Sequence, residues 1–123
     1  MNLSFKMRFF LLIFWTLFTF VLLTIPMPVS DGSEVSYIDK FVHFILFGCF
    51  SFLLSNYFIA KKTSYTIERI IIASFVTSFF YAIMMELIQS YIPSRTRSIY
   101  DLLFGLFGII IFTFVFYGTS KKR

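Results

Sequence analysis

Four long apolar runs, separated by short connections, constrain this chain more than any other feature of its sequence. A helix rises about 1.5 Å per residue, so about 20 mostly apolar residues cross a bilayer. The runs lie at about residues 9–25, 39–60, 69–90 and 100–117. The sequence therefore predicts a single all-α domain over residues 1–123, an integral membrane bundle of four transmembrane helices in which consecutive helices are antiparallel neighbours.

Composition supports a membrane location and argues against a soluble fold. Charged residues make up 14% of the chain, whereas soluble domains carry about a quarter. A soluble domain of this size buries too little surface to hide 20 Phe residues. The net charge of +5 is divided among the connections between apolar runs, so we expect no nucleic-acid partner. Cys49 is the single cysteine, which excludes a disulfide framework and a thiolate metal site.

The first apolar run resembles a secretory signal peptide in one respect, since Lys6 and Arg8 precede it. It is long for a signal peptide, however, and the exit at Pro26-Met27-Pro28 lacks small residues suited to cleavage. We therefore expect this run to be retained as the first membrane span.

The distribution of positive charge predicts the orientation. Eight of the 11 Lys and Arg residues lie on the side that holds both termini, and this side should be cytoplasmic by the positive-inside rule. The other side carries the remaining basic residues, Lys40, Arg95 and Arg97, and five of the six acids, Asp31, Glu34, Asp39, Glu86 and Asp101.

Polar residues converge at this outer end of the predicted bundle. Asp39 and His43 are i,i+4 neighbours at the start of the second span, and Glu86 and Gln89 share a face at the end of the third. Ionisable groups within a membrane cost about 2.5–3.5 kcal/mol each on insertion scales, so they usually face a protein interior with a partner. The predicted binding residues are Asp39, Lys40, His43, Glu86, Gln89, Arg95 and Asp101.

Each of these residues also has a purely structural interpretation. Glu86 and Arg95 could form an ion pair that only fixes the helix register, and His43 could be a core histidine with satisfied hydrogen bonds. The two aspartates could serve the positive ends of helix dipoles, and Lys40 could extend to the interface. Gly105 and Gly108 are expected to be close-packing positions.

Several of these residues occur in a pattern typical of a known family. Residues 39–44 read D-K-F-V-H-F, and they are followed by Glu86 and Gln89 in E-L-I-Q, by Arg95 in P-S-R, and by Asp101. In this order they resemble the D-K-x-x-H-F and E-x-x-Q…P-x-R…D signatures of the VanZ-like family, and Gly108 fits the family's glycine in the fourth helix. The resemblance covers roughly residues 39–108. One position departs from it, because Gly105 stands where the family usually has Asn, which puts a polar-ligand role of that position in doubt.

The resemblance implies a multi-pass protein of the bacterial cell membrane. The family's namesake is associated with low-level resistance to the glycopeptide antibiotic teicoplanin, but the family's molecular mechanism is not established. We expect a binding site for an anionic lipid headgroup or a lipid-linked cell-wall precursor, because Arg95 and Arg97 offer planar guanidinium donors suited to phosphate or carboxylate.

An alternative function is an intramembrane enzyme that acts on a lipid headgroup, with Glu86 or His43 as the catalytic acid or base. No hydrolase or phosphate-loop motif supports this alternative, and no cofactor is expected. A metal site built from Asp39, His43 and Glu86 is conceivable, but no metal-ligand spacing motif indicates one, so none is assigned. A transporter ranks last, because the polar groups gather at one end rather than near the midplane. Oligomerisation is left open.

Overall fold

The computed structural model describes residues 3–26, 34–61, 64–93 and 98–122, and within these ranges the α-helix is the only regular secondary structure. The helices are α1 (Phe5–Thr24), α2 (Glu34–Ala60), α3 (Ile67–Gln89) and α4 (Ile99–Lys121). All four are long and apolar enough to cross a membrane. The predicted fold class, an all-α four-helix membrane bundle, is confirmed.

The helices begin before the predicted apolar runs, because polar residues at their starts also adopt helical backbone or cap the first turn. The Oγ of Ser4 accepts the N–H of Met7 at 3.3 Å and so caps α1. The Oγ1 of Thr66 accepts the N–H of Arg69 at 3.4 Å and caps α3 in the same way. These side chains satisfy backbone donors that the first turn leaves unpaired. Hydropathy finds only the membrane-crossing part of each helix.

The second helix lies at the centre of the bundle. It contacts each of the other three helices, and its contact with α4 is the most extensive in the described structure. Lys40 lies beside Asp101 and Ser51 beside Thr113, so α2 and α4 run parallel. The consecutive pairs α1–α2, α2–α3 and α3–α4 also contact one another, as predicted. The dominant pair, however, is not consecutive in the chain.

A missing side chain allows α2 and α4 to approach this closely. A Cβ on Gly108 would collide with the carbonyl oxygen of Phe44 and would lie 2.9 Å from its carbonyl carbon. Gly105 similarly leaves room for the ring of Phe47, which would be 2.9 Å from a Cβ there. The prediction that these glycines serve close packing is confirmed, since small residues let membrane helices come into backbone contact.

The bundle interior combines apolar packing with buried hydroxyls. Its main apolar cluster contains Leu23, Leu46, Phe47, Ala82, Met85 and Ile109. Deeper along α2, the hydroxyls of Ser51 and Thr113 hydrogen-bond to each other at 3.0 Å. Most large apolar side chains of α1 point outward, as expected of a helix surrounded by lipid, and only 17% of its most apolar stretch is buried.

Candidate functional site

Most of the residues predicted to bind a ligand meet at one end of the bundle. This end is formed by the starts of α2 and α4 and the ends of α1 and α3. His43, Gln89, Glu86 and Asp101 are 0%, 2%, 4% and 5% exposed. Burial this complete means that each polar group depends on protein partners or on a bound ligand. Arg95 and Arg97 lie outside the described residues.

His43 is the centre of this cluster. Its Nδ1 lies 2.8 Å from the backbone carbonyl oxygen of Asp39, one turn earlier in α2. A carbonyl oxygen can only accept, so Nδ1 carries a proton and donates it. Its Nε2 lies 3.3 Å from the Oε1 of Gln89 and 3.1 Å from the Oε1 of Glu86. The second ring nitrogen therefore faces two acceptor oxygens from α3.

Gln89 is oriented by a backbone group of a third helix. Its Nε2 donates to the carbonyl oxygen of Leu23 in α1 at 3.0 Å. This bond fixes which end of the amide is nitrogen, so Oε1 is the atom directed at His43. Gln89 thereby joins α1, α2 and α3 at the site. The sequence marked Gln89 as a candidate, but a partner that is a backbone carbonyl has no sequence signal.

The two carboxylate oxygens of Glu86 contact different groups. Its Oε2 accepts the backbone N–H of Ser98 at 3.4 Å, immediately before α4 begins. Its Oε1 lies close to His43 Nε2 but has no hydrogen-bond partner among the described residues. Of the partners expected for Glu86, the described structure shows contact with His43, whereas Arg95 is not described.

Asp101 and Lys40 complete the described cluster. Lys40 Nζ lies 3.9 Å from Asp101 Oδ1, and the Asp101 side chain is 7% exposed. Asp39 is partly exposed and places Oδ1 3.9 Å from His43 Nδ1. One potential metal-ligand atom from each of Asp39, His43 and Asp101 lies within 4.8 Å of the others. The sequence suggested Glu86 as the third member of such a group, and the structure places Asp101 there.

A cavity opens beside Glu86, between α3 and α4. Its volume is about 290 Å³, and its lining is formed by Ile83, Glu86, Leu87, Ser98, Ile99 and Leu102. A largely apolar space with a few polar groups is typical of small-molecule sites. The apolar walls suit part of a lipid or another amphiphile, and the carboxylate suits a hydrogen-bond donor or a cation. Sequence analysis did not identify Ser98 or Leu102, because nothing distinguishes them from other residues at a helix start.

Four helices of membrane-spanning length, with a polar cluster buried at one end, define a multi-pass membrane protein. The family model described as VanZ/LLP1 matches residues 2–120 of the chain. The chain therefore belongs to this VanZ-like family, and the match extends over α1 and the end of α4 as well as the signature residues. No curated protein and no solved structure matches the chain.

Proposed function

We propose that this protein is a binding protein of the bacterial cell envelope. Its ligand is the polar headgroup of a lipid or of a lipid-linked cell-wall precursor, held at the outer face of the cell membrane. The outer location rests on the distribution of Lys and Arg, which predicts that both termini are cytoplasmic. The observation that carries the proposal is Glu86, a buried carboxylate beside a cavity at the polar end of the bundle. Its Oε1 lies 3.1 Å from His43 Nε2 and has no hydrogen-bond partner among the described residues.

The surroundings of Glu86 suit a ligand that is part polar and part apolar. The cavity lies between two helices of a membrane protein, so a lipid can approach it from the side. A hydroxyl or ammonium group of the ligand would donate a hydrogen bond to Glu86 Oε1. A buried carboxylate oxygen without a partner costs free energy, so a donor from a ligand would stabilise the site.

The anionic part of the ligand would be bound by basic residues at the same end. Arg95 and Arg97 fall in the connection between α3 and α4, the two helices that line the cavity. Lys40 is on the neighbouring α2 and already lies near Asp101. Guanidinium groups bind phosphate with two parallel hydrogen bonds. The proposed ligand therefore carries both a phosphate or carboxylate and hydrogen-bond donors.

Lipid binding can be tested on purified protein. We expect anionic lipid to co-purify with the wild-type protein and to be lost from Glu86→Gln and Arg95→Ala, with lipid identified by mass spectrometry. Glu68→Gln and Arg69→Ala are matched controls, because they remove the same charges at the opposite end of α3, where both residues are exposed. Equal lipid retention by all four variants would refute the site.

Antibiotic sensitivity tests the same site in cells. We expect wild-type protein in a susceptible Gram-positive host to raise the inhibitory concentration of teicoplanin and Glu86→Ala, at matched membrane levels, to do so less. If Glu86→Ala protects as well as the wild type, Glu86 is dispensable and the site assignment is wrong. If neither protects, the resistance association does not extend to this chain.

The pairing of His43 with Glu86 favours a second candidate function, an intramembrane enzyme that acts on a lipid headgroup. The 3.1 Å between His43 Nε2 and Glu86 Oε1 is within the range for proton transfer. The carbonyl of Asp39 orients the imidazole through Nδ1, as the third member of a catalytic triad does. In this function His43 and Glu86 would act as the acid and base on a bound headgroup.

Turnover distinguishes the two functions. Incubation of the protein with extracted bacterial lipids should yield a new lipid product if the protein is an enzyme, and Glu86→Gln should abolish it while Glu68→Gln should not. Retention of unaltered lipid by the wild-type protein supports the binding function alone.

A further inference from the structure

We propose that this protein also binds a phospholipid at the opposite end of the bundle, in a cavity between α3 and α4. The headgroup of this lipid carries both a phosphate and a primary ammonium, as that of phosphatidylethanolamine does. The inner end, as we call it, is formed by the starts of α1 and α3 and the ends of α2 and α4. The cavity shares no lining residue with the one beside Glu86. Binding here is therefore independent of the function proposed above.

The interior of this cavity is apolar and accessible from the side of the bundle. Its volume is about 440 Å³, larger than that of the cavity beside Glu86. The apolar lining residues are Ile71, Ile72, Phe75, Ile110 and Phe114. Ile72 and Phe114 are 63% and 70% exposed on the outside of the bundle. A lipid chain in the bilayer can therefore reach the cavity without passing through water.

The polar groups of the cavity lie toward the inner end. Glu68, in the first turn of α3, and Tyr117, near the end of α4, both line it. Lys121 Nζ lies 5.6 Å from the centre of the Tyr117 ring, which is within the range of a cation–π interaction. Thr113 also lines the cavity, and its hydroxyl is hydrogen-bonded to Ser51. One negative and one positive group therefore lie beside an apolar interior.

The register of α3 and α4 places these two charges at a similar depth. The backbone N–H of Ser98 donates to Glu86, so these residues are level in two antiparallel helices. Glu68 lies 18 residues before Glu86, and Tyr117 lies 19 residues after Ser98. An equal rise per residue therefore puts Glu68 within about one residue of the level of Tyr117. The ammonium of Lys121 extends back over that ring and lies near the same level.

Neither charge is neutralised by the part of the chain that the structure describes. Glu68 and Lys121 are exposed and form no ion pair with a described residue. Glu68 is also the single acid that the sequence places at the inner end. A headgroup with both signs of charge supplies a partner for each residue: its ammonium pairs with Glu68 and its phosphate with Lys121. The lipid chain then lies against the apolar walls.

The carboxylate of Glu68 distinguishes between two headgroups that are both neutral overall. The primary ammonium of phosphatidylethanolamine, like that of lysine, has three N–H donors, and it forms charge-assisted hydrogen bonds to a carboxylate. The quaternary ammonium of phosphatidylcholine has no N–H group to donate. We therefore expect the site to prefer phosphatidylethanolamine to phosphatidylcholine.

The preference can be measured by native mass spectrometry of full-length protein after removal of its lipids and addition of the two phospholipids in equal amounts. We expect the wild-type protein to retain phosphatidylethanolamine in preference. Glu68→Gln and Lys121→Gln should each reduce this preference about two- to fivefold, as expected for ion pairs in contact with water. Lys6→Gln is the matched control, because Lys6 is an exposed lysine of α1 at the same end.

A second pair of variants tests the apolar part of the cavity. Ile110→Trp fills the cavity while both charges remain, so it should abolish the retention of phosphatidylethanolamine. Val115→Trp is its control, because Val115 is in the same helix, is 50% exposed and does not line the cavity. Size-exclusion profiles show whether each variant is folded. If Ile110→Trp does not fold, the variants of the exposed residues Glu68 and Lys121 decide the question.

The location of the lipid is measured directly with a phosphatidylethanolamine that carries a photoreactive group in its chain. We expect cross-links to residues 68–75 and 110–117. Cross-links confined to residues 83–102 would place the lipid at the outer cavity instead and would overturn the inner site. Equal retention of the two phospholipids, or an unchanged preference in folded Glu68→Gln and Lys121→Gln, would also overturn it. So would a dimer that retains neither lipid, because a second copy of the chain would then cover the cavity.

Discussion

Gly108 is the position at which the packing of this bundle can be tested most directly. Replacement by Ala adds one methyl group on the side of α4 that faces α2, where it would collide with the carbonyl oxygen of Phe44. The obstacle is backbone in the middle of a helix, so it cannot rotate away as a side chain would. We expect the two helices to be forced apart in Gly108→Ala.

The structure sets the size of this effect. The new Cβ would lie 2.9 Å and 3.1 Å from the carbonyl carbon and Cα of Phe44, whereas carbon atoms in contact are about 3.5–4.0 Å apart. The helices must therefore separate by roughly 0.5–1 Å, which loosens the most extensive interface of the bundle. Overpacking of this kind costs about 1–3 kcal/mol. The free energy of unfolding should fall by that amount.

The assay is unfolding of the purified protein in mild detergent micelles by added SDS, with Gly118→Ala as the control. Gly118 lies in the same helix, and a Cβ there meets no atom within 4 Å. Because Ala favours helix more than Gly does, Gly118→Ala should be as stable as the wild type or slightly more stable. Equal stability of Gly108→Ala and Gly118→Ala would refute the close-approach argument.

The same substitution should also disturb the site. Gly108 lies seven residues after Asp101, about 10 Å along the helix. Separation of α2 from α4 moves Asp101 away from Lys40 and His43. We therefore expect Gly108→Ala to reduce the co-purification of anionic lipid, whereas Gly118→Ala should leave it unchanged.

Three further predictions concern the packing of the bundle. Gly105→Asn, which restores the residue usual in the family, should destabilise the protein by about 1–3 kcal/mol because it meets the Phe47 ring; the added change Phe47→Leu should recover part of this loss, and no recovery would contradict the explanation. The hydrogen bond between Ser51 and Thr113 should show a coupling of about 0.6 kcal/mol in a double-mutant cycle of alanine variants, and a coupling of zero would mean that the bond contributes nothing. Tyr81→Phe removes the hydrogen bond to the Thr16 carbonyl and should cost about 1 kcal/mol; fluorescence of Trp15, the single tryptophan, follows the unfolding, and an unchanged midpoint would contradict the expectation.

The sequence by itself determined the number, type and approximate limits of the helices. Hydropathy is sufficient for this, because a segment in lipid must satisfy its backbone hydrogen bonds internally and a helix does so. The sequence also determined that the polar residues gather at one end, since each lies at a known depth in its own span. This argument applies to Asp39, His43, Glu86, Gln89 and Asp101. The motifs that contain these residues also indicated the family to which the chain belongs.

Only the tertiary structure decided which helices pair and which polar atoms meet. The apolar spans have no strongly polar face, because side chains that contact lipid are as apolar as those in the core. Hydropathy therefore cannot show that α2 packs most closely on α4; that pairing depends on the fit of Gly108 against the backbone of Phe44. The same packing places Asp101 near His43. It also places one Glu86 oxygen at the N–H of Ser98 and the other at His43 Nε2. Such contacts depend on the rotation and the depth of each helix together, which hydropathy does not give.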